Sequence, residues 1–328
     1  MIATARSLRS ITILAVVVLL ASACSPATGA LGTPATPPAT SNPSVEIPTA
    51  DVTPDTASPT PTVQPTGSAA PSGGPTTAPT PTSAPDATII VRAYFLVDEH
   101  LVPVLREVPR TQAVATAAMR QLLAGPNAKE RAADPALVTT IPDGTQLLGL
   151  SITDGVATVD LSREYETGGG SASMFGRLSQ VVYTLTQFST VDGVQFELDG
   201  QPVTIFGGEG LILDHPVGRA DYHDQLPTIF VDRPAWGAAL GNPGKVTGLA
   251  NTFEATFQVQ LRDASGSLLY DQHQMATCGN GCWGTFSVEI GYTVSKAQWG
   301  TLRVLDYSAK DGSPENVTDY PVWLTPAG

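Results

Sequence analysis

The apolar positions of this chain fall into three regimes. Ile11 to Leu20 is apolar throughout apart from one Thr, with Arg6 and Arg9 before it and the small residues Ala21, Ser22 and Ala23 leading into Cys24. Large apolar side chains then become sparse from Ser25 to Ala87. From Thr88 onward they return with clear periods. Ile89 to Val97 and Leu101 to Val108 read as strands, with Asp98, Glu99 and His100 as the loop between them. Thr111 is placed to cap a helix in which Val114, Ala115, Ala118, Met119 and Leu122 recur at helical spacing, and Gly125-Pro126 ends it.

The same reading continues to Asp214. Leu147–Thr153 and Val156–Leu161 flank Asp154-Gly155, a pair suited to a two-residue hairpin turn because both tolerate positive φ. After Gly168-Gly169-Gly170-Ser171, a second amphipathic helix shows Met174, Leu178, Val181, Val182 and Leu185. Val194–Leu198 and Pro202–Phe206 flank Asp199-Gly200, another hairpin. Residues 88–214 are therefore expected to form an α+β domain with helices on a mostly antiparallel sheet.

Beyond a polar linker at 215–225, the pattern is all strand. The candidates are Thr228–Val231, Val246–Ala250, Phe253–Leu261, Leu268–Met275, Gly284–Tyr292, Thr301–Tyr307 and Asp319–Leu324. Phe253, Ala255, Phe257, Val259 and Leu261 alternate with other residues, as a strand with one buried face requires, and Asp263-Ala264-Ser265-Gly266 makes a turn. About seven short strands in roughly 100 residues predict an all-β, immunoglobulin-like two-sheet sandwich over 226–325.

Composition changes the picture at the N-terminus. Fifteen of the 28 prolines lie between Ser25 and Ala87, a stretch with no Lys or Arg and only four acids, Glu46, Asp51, Asp55 and Asp86. Such a segment cannot bury enough apolar surface to offset its ordering entropy, so residues 24–87 are expected to be a disordered, Pro-biased stalk extending at roughly 3 Å per residue. Dense Ser and Thr beside Pro permit O-glycosylation. Residues 1–23 read as a signal peptide, too short to serve as a permanent span. Cys24 after small residues resembles the lipobox of bacterial lipoproteins, which implies acyl (palmitate-type) anchoring at the extracytoplasmic face of the cell membrane. The usual Leu three residues before the Cys is here Ala21, with Leu20 one step further back, and ordinary signal cleavage is the other reading.

The net charge of −13 gives no electrostatic footprint for nucleic acid, and none is expected as a partner. Catalytic signatures are absent: no Gly-x-Ser-x-Gly, no Ser-x-x-Lys and no His-x-x-x-His. Gly241-Asn-Pro-Gly244-Lys245 is similar to a phosphate loop but lacks the first glycine, and Thr247 stands two residues after the lysine instead of directly after it, so it reads as a turn. Asp160, Glu164, Glu166, Glu209 and Asp214 are carboxylates that a hydrolase would need to bring face to face. The plainer reading is solvated loop acids, with Asp160 bonding backbone at a strand corner. His215 and His223 with Asp214, Asp221 and Asp224 make either a weak metal site or a polar linker. No metal and no cofactor are expected.

Two features remain. Cys278 and Cys282 are expected to form a disulfide, as nearby cysteines in an exported chain do; a redox pair or half of a metal site are the alternatives. Trp236, Trp283 and Trp299 are the candidate binding residues, set against a role in core packing.

The segments VPVLREVPRTQAVATAAMRQLLAGP, IPDGTQLLGLSITDGVATVDLS and LSQVVYTLTQFSTVDGVQFELDGQPV closely resemble the GerMN domain of sporulation and germination proteins, and occur in its order. IFVDRPAWGAALGNPGKVTGLANTFEATFQVQLRDASG and the terminal DYPVWL resemble the immunoglobulin-like domain of spore-germination proteins, which often follows it. The resemblance implies an exported domain pair without catalytic residues. The expected function is a non-catalytic, membrane-anchored lipoprotein that binds a protein partner in the cell envelope. Peptidoglycan or glycan binding by the second domain is the alternative.

Overall fold

The computed structural model describes residues 87–208 and 210–327. The expectations for the signal peptide, Cys24, the stalk and Glu209 lie outside those residues. Among the described residues no helix is long and apolar enough to cross a membrane.

Strands β1 (Thr88–Val97) and β2 (His100–Pro109) pair antiparallel through a tight turn. Asp98 and Glu99 hold it with φ of 48° and 68°, so His100 belongs to the strand and not the loop. Ala93 through Val97 are all buried, which is why the sequence there is a continuous apolar run with no alternation. Helix α1 (Val114–Leu123) buries Ala115, Ala118, Met119 and Leu122. Thr111 does not cap it: its hydroxyl accepts from the Ala113 amide at 3.1 Å, two residues short of the role, and the N-cap residue is Ala113. Gly125, at φ +73°, turns the chain out of the helix. The short helix α2 (Ala128–Arg131) was not predicted; Asn127 and Glu130 form its capping box.

Strands β3 (Leu147–Thr153) and β4 (Val156–Leu161) match their predicted bounds, with Asp154 and Gly155 in the turn at φ of 49° and 82°. Helix α3 (Ser171–Leu185) then carries the chain across to β5 (Gly193–Leu198), which lies parallel to β4 as a crossover connection allows. The predicted strand Pro202–Phe206 is broken. Only β6 (Gln201–Pro202) continues the hairpin, while β7 (Ile205–Phe206) pairs with β8 (Leu211–Ile212). The break delivers Phe206 into the core, 5.4 Å from the Tyr165 ring. The sheet order is β3-β4-β5-β6, antiparallel except for its central pair.

Among the described residues, the second edge of β1 meets only a single antiparallel bridge, between Leu96 and Val138. Side chains from α3 and just beyond take the place of a neighbouring strand. Gln187 accepts from the Arg92 amide and donates to its carbonyl, both at 2.8 Å. Thr184 accepts from the Tyr94 amide at 3.3 Å, and Gln180 donates to the Tyr94 carbonyl at 2.9 Å. With the Leu96–Val138 backbone bonds, these side chains satisfy that edge at Arg92, Tyr94 and Leu96.

The remaining strands are β9 (Ile229–Arg233), β10 (Ala239–Leu240), β11 (Gly244–Ala250), β12 (Thr256–Arg262), β13 (Leu268–Met275), β14 (Gly284–Ile290), β15 (Gln298–Tyr307) and β16 (Pro314–Leu324). They form two sheets, β10-β16-β15-β12-β13 and β14-β11-β9, facing each other as a sandwich. Phe253 does not start β12. Glu254 and Ala255 adopt positive φ (54° and 57°), which ends any extended run before Thr256 and leaves Phe253 exposed. The alternation begins at Phe257.

The expected linker at 215–225 brings Val217 and Tyr222 into the core, and the Val217 backbone bonds Val194. One cluster of buried apolar residues runs from Ala93 to Leu324. Polar contacts join the same parts. The Tyr94 hydroxyl donates to Asp232 at 2.7 Å. Arg219 lies over the Tyr183 ring at 4.7 Å and the Tyr94 ring at 5.5 Å, and its Nε donates to Thr186 Oγ1 at 2.9 Å. Burial, with Asp232 beside it, pushes the Tyr94 phenol far above its ordinary range.

Candidate binding surfaces

Trp236 follows β9. Its backbone amide donates to the Pro103 carbonyl at 2.8 Å, which ties it to β2, and its ring meets Tyr320 edge-on at 6.0 Å. Trp299, on β15, is 52% exposed and rests against Trp323 at 5.2 Å. These two tryptophans line one groove of about 460 Å³. The opposite wall comes from the α+β part: Leu105 of β2 and, from α2 and its cap, Lys129 and Asn127. That wall is held rigidly. Arg106 makes two bonds to Glu130, at 2.7 and 2.6 Å, and Glu130 also accepts from the Asn127 amide at 2.8 Å. A mostly apolar groove with aromatic faces and a lysine in its wall suits an extended ligand with apolar and acidic groups.

Trp283 does not line this groove. It follows Cys282, and its ring lies 5.1 Å from His223. Burial there holds the His223 imidazole below its ordinary range. Cys278 and Cys282 are bonded, with Cα atoms 5.8 Å apart. The ring they close organises the neighbouring loop: Asn280 accepts from the Glu254 amide at 2.8 Å, and its own amide donates to the Thr252 carbonyl at 3.1 Å.

Among the described residues, the carboxylates singled out in the sequence have separate partners. Asp160 accepts from the Gly200 amide and Glu166 from the Gly207 amide, both at 2.9 Å. Glu164 is exposed, and a hydrogen bond from Ser162 lowers its pKa. Asp214 bonds His215 at 2.7 Å, and that bond raises the His215 pKa. Asp221 caps the turn at Gly218, 2.7 Å away. Among the described residues no three metal-capable side chains come together.

The groove also uses residues that the sequence reading did not single out: Leu105, Arg106, Asn127 and Lys129. One signal was available. Asn127-Ala-Lys-Glu130 has the spacing of a capping box, which predicts a helix start and an ordered wall there.

Comparison with known proteins bears on both parts. Residues 92–204 match the family described as Germane, sporulation and spore germination. Residues 228–313 match the immunoglobulin-like domain of bacterial spore germination. Among solved structures, the tandem GerMN domains of the sporulation protein GerM from Bacillus subtilis are 17% identical, with TM-score 0.36 and coverage of 62% of each chain. The chain thus spans less than two thirds of that structure. The first GerMN domain of the same protein is 20% identical, TM-score 0.33, covering 41% of this chain and 100% of that one. A candidate lipoprotein from Clostridium perfringens is 23% identical, TM-score 0.30, covering 43% and 95%. No curated protein matches the chain.

Proposed function

We propose, from the premise that this chain carries a sporulation and spore germination domain (92–204) followed by an immunoglobulin-like domain of bacterial spore germination (228–313), that it is a non-catalytic interaction protein of the cell envelope. Cys24 carries the lipid, residues 24–87 span the distance from the extracytoplasmic face of the membrane, and the two domains together present a surface to a protein partner. The observation that carries this reading is the groove in which Trp236 and Trp299 of the second domain face Leu105 and Lys129 of the first. Neither domain has that groove by itself.

The experiment is a crosslinking pull-down from membranes with the full chain. The wild type is expected to recover a specific envelope protein, and Trp299→Ala or Lys129→Glu to lose it. Recovery of the same proteins by all three chains would overturn the reading. Sites on the exposed face leave folding intact, and thermal midpoints check that.

Trp283, beside the disulfide ring, favours a second reading in which the immunoglobulin-like domain binds peptidoglycan or another glycan. Sedimentation with purified peptidoglycan distinguishes the two. Glycan binding predicts co-sedimentation that Trp283→Ala abolishes; the protein-partner reading predicts a chain that stays in solution.

A further inference from the structure

Next to the aromatic groove, and sharing Leu105 and Ala238 with it, lies a second cleft of about 400 Å³. Its walls bring together Arg92 of β1, Arg233 at the end of β9 and Lys245 of β11. No Asp or Glu lines it. That runs against the composition: from residue 88 on, the chain has 26 carboxylates and 15 cations. None of the three cations has a carboxylate partner within 4.0 Å among the described residues. The nearest acid in sequence, Asp232, is engaged by Tyr94 and lies 3.9 Å from Arg219.

Arg92 adds an independent observation. Its Nε is buried with no hydrogen-bond partner. The neighbouring Gln187 uses its amide on the Arg92 backbone. The strand thus positions the guanidinium, which spends no donor on a carboxylate of the described residues and lines the cleft where an anion can accept from it. Three like charges in one cleft also repel one another; Glu289, opposite Lys245 across the strand pair, is outside ion-pair distance and does not line the cleft.

We propose that this cleft binds a phosphate group, gripped by Arg92 and Arg233, with Lys245 completing the charge. A phosphomonoester carries about −1.5 to −2 near pH 7 and offers three acceptor oxygens, whereas one carboxylate leaves two of the cations uncompensated. Guanidinium forks match phosphate oxygens in pairs. Ile90 and Leu105, 60% and 41% exposed, also line the cleft, so the group can arrive on a soluble molecule or as a lipid headgroup with apolar atoms beside it.

The test uses the full chain with two probes. One is glycerol 3-phosphate, followed by calorimetry and by the thermal midpoint. The other is phosphatidylcholine vesicles with and without phosphatidic acid, followed by co-sedimentation. Binding of glycerol 3-phosphate supports the site with a soluble ligand; binding only to vesicles containing phosphatidic acid supports it with a headgroup. The double variant Arg233→Gln/Lys245→Gln is expected to weaken binding by about tenfold or more, as loss of charge-assisted bonds does. Lys296→Gln/Lys310→Gln removes the same net charge at exposed positions outside the cleft and is expected to bind like wild type. The proposal fails if neither probe binds wild type, or if both double variants weaken binding equally.

Discussion

Arg177 lies on α3 with only 2% of its surface exposed, and no carboxylate pairs with it among the described residues. Its guanidinium instead donates to the carbonyls of Tyr165 (2.7 Å), Thr167 (3.0 Å) and Gly168 (2.9 Å), and to Ser173 Oγ (2.9 Å). It therefore holds the loop that leads into its own helix. Arg177→Met keeps the aliphatic bulk but strands those carbonyls, and is expected to cost about 3 kcal/mol in urea denaturation. The two junction histidines differ in sign. Burial against Trp283 depresses His223, so its contribution to stability is present above the unfolded value of 6.5 and is lost as pH falls through the folded one. The Asp214 hydrogen bond raises the exposed His215, whose contribution is present below 6.5 and is lost as pH rises through its raised value. Proton NMR is expected to show His223 titrating below 6.5 and His215 above it. His223→Gln is expected to flatten the acid-side fall of the thermal midpoint.

Among the elements, β11 shows how a single hydrogen atom sets strand packing. It bulges between Thr247 and Gly248, where it pairs with β9. A Cβ at Gly248 would land on the Phe230 carbonyl oxygen and 2.8 Å from the Phe286 ring. Gly248→Ala is expected to displace β9 and cost about 2 kcal/mol or more by urea midpoint. The disulfide ring acts on the element beside it. Asn280 holds the Glu254 amide, and Glu254 and Ala255 are two successive residues at positive φ. Cys278→Ser/Cys282→Ser is expected to lower stability by about 2 kcal/mol, the loop-entropy value for a five-residue ring, and to speed amide exchange in the 252–255 turn.

For the molecule as a whole, the β1–β2 hairpin is the joint. Its two strands are covered by helices α1 and α3, and β2 also meets β9 of the sandwich. With one apolar cluster reaching from Ala93 to Leu324, residues 88 onward are expected to melt in a single calorimetric transition. Two resolved transitions would contradict this. Arg219→Met, which removes the cation from between Tyr94, Tyr183 and Asp232, is the change expected to loosen that coupling, seen as a calorimetric enthalpy exceeding the van't Hoff value.

Much of this architecture was already legible in the residues. Asp154-Gly155 and Asp199-Gly200 specify hairpin turns because their backbones accept positive φ, and the period of Met174 to Leu185 specifies a helix. The ordered GerMN-like and immunoglobulin-like segments supplied the domain types. What the residues did not disclose is which of them meet. That β5 lies parallel to β4, that Phe253 is outside β12, that Trp236 and Trp299 but not Trp283 line the shared groove, and that Arg92, Arg233 and Lys245 line one cleft all follow from the tertiary structure. Dihedral preference and side-chain period act over a few neighbouring residues, so they are written locally. Which faces come together is decided by burying apolar surface across the whole chain, and residues distant in sequence become neighbours only when that packing is complete.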